Sequence, residues 1–88
     1  MKIKDGFLLR QVANNYVVVP VGARTVDFRC ILSLNETGAF LWERLSSGST
    51  ADQLTAALLT EYDVAETVAA GDVDAFLTTL REKGLLDE

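Results

Sequence analysis

The sequence contains no histidine, one cysteine and one proline in 88 residues. Without His there is no imidazole general base. A lone Cys30 forms no internal disulfide and, with no His beside it, nucleates no zinc site. Both absences fit a reducing cytosol. No Gly-rich phosphate loop is present. The amino-terminal Met1-Lys2-Ile3-Lys4-Asp5-Gly6 lacks the apolar core of a signal peptide. Apolar runs are too short to span a bilayer. Basic residues are also scarce, with eight Lys and Arg against thirteen Asp and Glu, for a net charge of −5. That balance argues against nucleic acid, whose affinity comes largely from cations neutralising phosphates.

What is present is a core. Hydrophobic residues make up 49% of the chain and charged residues 24%, which indicates one folded soluble domain over residues 1–88. The first part reads as strands. Phe7–Val12 and Tyr16–Val21 flank Asn14-Asn15, a turn pair, and predict a β-hairpin. Pro20 cannot donate to a ladder, so it implies an edge or a bulge. Gly22-Ala23-Arg24 is a second turn. Thr25 to Leu32 then alternates, with Val26, Phe28 and Cys30 opposite Asp27 and Arg29, and predicts a third antiparallel strand. Cys30 there reads as a small packed hydrophobe.

From Leu34 the hydrophobic period lengthens to about 3.6. Asn35 is the expected N-cap of a first helix, with a Ser33/Glu36 capping box as the alternative. Leu34, Gly38, Leu41, Trp42 and Leu45 share a face, and Phe40 lies off it. Gly38 points to a close packing contact. Ser46-Ser47-Gly48-Ser49 is a loop. Thr50 with Gln53 forms a capping box for a second helix over Ala51–Tyr62, with Leu54, Ala57, Leu58 and Tyr62 inward. A third helix over Glu66–Lys83 carries Val73, Phe76, Leu77 and Leu80 at i, i+3, i+4, i+7. Arg81 and Lys83 suit its negative end, and Gly84 suits C′. Leu85-Leu86 packs back, and Asp87-Glu88 is a solvated tail. The result is an α+β class, three strands and then three helices.

No nucleophile, base or metal cluster stands out. Asp72 with Asp74, and Glu61 with Asp63, point to different helix faces and read as solvated charges. An enzyme is therefore not expected, and no cofactor either. An uncovered sheet edge is a template for an incoming strand, and strand addition needs no catalytic group.

The block Phe28…Leu34-Asn35-Glu36-Thr37-Gly38-Ala39-Phe40-Leu41-Trp42…Leu45 resembles the PqqD family. So do Leu54…Leu58…Glu61-Tyr62-Asp63 and Asp72-Val73…Phe76-Leu77…Leu80…Gly84-Leu85-Leu86. The resemblance spans nearly the whole chain. PqqD is the peptide chaperone of pyrroloquinoline quinone biosynthesis. Its relatives are recognition elements for ribosomally made, post-translationally modified (RiPP) peptides, lasso peptides included. The resemblance implies a winged helix-turn-helix-like fold with an N-terminal three-stranded sheet. It implies a leader peptide added along the third strand, beside the third helix. By position, the edge is Val26, Asp27, Phe28, Arg29, Cys30, Ile31 and Leu32. The groove wall is Asp72, Val73, Phe76, Leu77 and Leu80. The implied partners are a precursor peptide and a modifying enzyme, a radical S-adenosylmethionine enzyme or a leader protease; neither nucleic acid nor membrane is implied. Two other readings stay open: a DNA-binding winged helix, and a structural domain that pairs its edge in a homodimer.

Overall fold

The computed structural model describes residues 1–22 and 32–88. The described elements run β1 Lys2–Ile3, β2 Phe7–Val12, β3 Asn15–Pro20, β4 Leu32–Leu34, α1 Glu36–Ser46, α2 Ala51–Glu61, α3 Glu66–Glu82 and β5 Leu86–Asp87. The sheet order β2-β3-β4 is antiparallel throughout. With three helices following, this is the expected α+β, winged helix-turn-helix-like fold.

The β2–β3 hairpin turns one residue earlier than the Asn pair indicates. Val12 faces Asn15, so Ala13 and Asn14 make the connection. Ala13 takes the left-handed region, φ 55°. Asn15 becomes the first residue of β3. Pro20 closes β3 opposite Phe7. It lies at the end of the central strand, two residues past Val18, which faces Leu32 of β4.

The expected third strand, Thr25–Leu32, lies outside the described residues except for Leu32. Among the described residues, β4 pairs Leu32, Ser33 and Leu34 with Val18, Val17 and Tyr16.

Helix ends follow the sequence closely. Asn35 Oδ1 accepts the Gly38 amide at 2.8 Å, and the Ser33/Glu36 alternative is not used. Thr50 and Gln53 form both bonds of their capping box. α3 ends in a Schellman motif. The Leu85 amide donates to Leu80 carbonyl and the Gly84 amide to Arg81 carbonyl, at 2.9 and 3.1 Å. Gly84 at φ 71° supplies the left-handed residue this motif needs. A Cβ on Gly38 would stand 3.1 Å from Leu34 Cδ2. The close approach is therefore between the start of α1 and the end of β4.

The core is built mainly from the helices. Leu41, Leu45, Leu54, Leu58, Val73 and Leu80 are its largest fully buried side chains, and Trp42 is buried beside them. No buried polar or charged residue is found among the described residues. Phe40 sits outside this core, edge-on to Tyr62 at 5.7 Å and under the Arg44 guanidinium at 5.2 Å. Burial, and then the nearby Glu36 and Glu61 carboxylates, raise the Tyr62 hydroxyl above its ordinary pKa.

A second, two-stranded ladder is absent from the sequence reading. β1 pairs with β5, Ile3 opposite Leu86 and Lys2 opposite Asp87. The Ser49 amide donates to Met1 carbonyl, and the Lys4 amide to Leu85 carbonyl, both at 2.9 Å. The expected tail is thus a paired strand. Glu88 is held by Arg81 at 2.9 Å. That hydrogen bond lowers the Glu88 carboxyl below its ordinary value. A lowered folded value means the pair stabilises the fold above the unfolded carboxylate pKa. This contribution fades as pH falls through the folded value. Both groups are exposed, so the effect on stability is small. An NMR titration should show Glu88 protonating at lower pH than an ordinary Glu side chain. Arg81→Gln should restore the ordinary value; an unchanged titration would mean the pair does not persist in solution.

A candidate peptide-binding edge and groove

α3 presents two adjacent stripes. Ala69, Val73, Phe76, Leu77 and Leu80 face the core and are all buried. Asp72, Ala75, Phe76, Thr79 and Leu80 recur at i, i+3, i+4, i+7, i+8 and share the neighbouring face. This second stripe is one wall of a groove of about 330 Å³. The other wall is β4 and the start of α1: Leu32, Ser33, Leu34, Asn35, Thr37 and Gly38. Leu41 also lines it. Phe76 and Leu80 belong to both stripes, so they join the groove to the core.

β4 is at one edge of its sheet, and among the described residues no strand pairs with its outer side. An open edge therefore runs beside an apolar, concave wall. The groove has Leu side chains from both walls and polar groups at Ser33, Asn35, Thr37 and Thr79. Asp72 is its single charged lining residue among those described.

The sequence-derived site residues fall into three groups. Val26, Asp27, Phe28, Arg29, Cys30 and Ile31 lie outside the described residues. Leu32, Asp72, Phe76 and Leu80 meet at the groove. Val73 and Leu77 do not line it; each is only 2% exposed, packed in the core. Ala75 and Thr79 take part without having been singled out, as do Ser33 and Thr37. Small and polar side chains give no periodic signal, so only the placement of α3 against β4 reveals them.

Among the described residues, no group of three or more acidic or Cys side chains could hold a metal ion. No helix there is long and apolar enough to cross a membrane.

Fold and groove together define a winged-helix-like domain with an open strand edge flanked by an apolar helix. The chain belongs to the PqqD family: the model for coenzyme PQQ synthesis protein D matches residues 11–86. No curated protein matches it. Two solved structures are similar throughout. One is TbiB1 in complex with the TbiA(beta) leader peptide, with a TM-score of 0.77 and 24% identity. That match covers 99% of this chain and 95% of the other. The second is lasso peptide synthetase B1 complexed with the leader peptide, with a TM-score of 0.72 and 26% identity. It covers 96% of this chain and 93% of that one.

Proposed function

We propose that this protein is a non-catalytic chaperone that captures the leader segment of a ribosomally made precursor peptide and presents it to a modifying enzyme. The observation that carries this is the open edge of β4 beside the groove of α3. Family membership and the leader-peptide complexes of two similar proteins support it. The leader adds as a strand. Its main-chain amides and carbonyls pair with the edge, and alternate side chains enter the groove. We assign the edge to Val26–Leu32, the last of which belongs to β4, and set Asp72 and Phe76 before the incoming strand with Leu80 as the floor beneath them. Val73 and Leu77 support this wall from behind. The partner enzyme, a radical S-adenosylmethionine enzyme or a leader protease, does the chemistry. No cofactor is assigned to this chain. Capture precedes modification, so the place of action is the cytoplasm where the precursor is made.

Amide shifts followed during titration with a candidate precursor peptide test this. Perturbations should cluster on residues 26–34 and on Asp72–Leu80. Shifts confined to other surfaces would overturn the binding mode.

A further inference from the structure

Asp72 is out of keeping with its surroundings. It is the one charged side chain lining an otherwise neutral groove among the described residues. The positions three and four away on α3 are Val68, Ala69, Ala75 and Phe76, so the helix offers it no basic neighbour at the spacing where side chains meet. Among the described residues the ion pair in the structure is Arg81–Glu88, at the far end of the helix. A carboxylate at the rim of an apolar groove rewards a ligand that brings a cation and penalises one that brings an anion.

The spacing adds a rule. Asp72, Phe76 and Leu80 follow one another every four residues, about 6 Å along the helix axis. Side chains on one face of a strand recur about every 6.7 Å. Two successive groove-facing positions of an added strand therefore meet Asp72 and then Phe76, while Leu80, fully buried, lies beneath the groove as its floor. From the proposed leader-capture reading, on which this rests, we infer that the groove selects a strand with a Lys or Arg two residues from an apolar side chain. The net charge of −5 acts the same way at longer range, steering basic segments toward the domain. Asp72 is thus a specificity-determining residue, and the apolar positions supply most of the affinity.

Selection of randomised strand-length peptides against the full chain tests this, run in parallel on wild type and on Asp72→Lys. Asp72 is exposed, so neither that change nor Asp72→Asn threatens the fold. The wild-type pool should be enriched in Lys or Arg two residues from an apolar residue. The Asp72→Lys pool should switch to Asp or Glu there and keep the apolar residue. A basic peptide from the first pool should bind Asp72→Asn about two- to fivefold more weakly, with a shallower salt dependence. Equal charge preference in both pools overturns the charge rule and leaves groove capture standing. Selected peptides that fail to perturb residues 32–34 and 72–80 overturn the capture reading itself, and the charge rule with it.

Discussion

Leu45→Ala should destabilise the fold by about 3 kcal/mol, the middle of the range for Leu truncation in a core. Leu45 is 0% exposed on α1, inside the cluster formed with Trp42, Leu54, Leu58 and Leu80. Its removal loses transfer free energy and leaves a cavity that helix backbones cannot close. An 88-residue domain has about 5–10 kcal/mol in total, so the change is a large share of it. The melting temperature should fall by about 15 °C. Urea unfolding followed by Trp42 emission checks the value, because Trp42 is buried in the same cluster. A shift under about 4 °C would mean that neighbouring side chains refill the space. Leu45 does not line the groove. Well below the lowered melting temperature, peptide affinity should be unchanged.

Phe76→Asp should show the opposite balance, with peptide affinity lost more than tenfold. Phe76 is 8% exposed and stands between core and groove. A carboxylate there would face the incoming apolar side chain with no cation to pair it, and desolvating it costs several kcal/mol. It also replaces an aromatic surface that a peptide side chain would cover. The substitution weakens the core as well, so Phe76→Ala is the companion variant. Its Trp42 emission should remain that of the folded chain while affinity still drops. Full binding by a folded Phe76→Ala would remove Phe76 from the site.

Much of the fold is legible from local chemistry. Asn35, the Thr50/Gln53 box and Gly84 each mark a helix end within a few residues, so the starts of α1 and α2 and the end of α3 can be read from the residues themselves. Pairings made across the whole chain are different. β1 and β5 are two residues each, and nothing in Lys2-Ile3 or Leu86-Asp87 announces a strand. Their register exists only once the helices have packed. The hairpin turn moved because Ala13, a residue with no preference for positive φ, accepts it to keep Leu9 opposite Val18. The groove was half legible. The i, i+3, i+4, i+7 stripe of α3 identifies buried positions but not the neighbour that buries each one. Val73 and Leu77 belong to that stripe and vanish into the core. The wall is made at its margin, by Asp72, Ala75 and Thr79.

Phe76 and Leu80 serve the groove and the core at once, which separates what natural variation can alter freely from what it cannot. Drift at these positions changes the fold and the ligand together, and most changes are removed before a new preference appears. Ser33, Thr37, Asp72, Ala75 and Thr79 carry no such double duty. Homologues adapting to different precursors are therefore free to diverge at those positions over a constant apolar floor. An engineer retargeting the domain would begin there too.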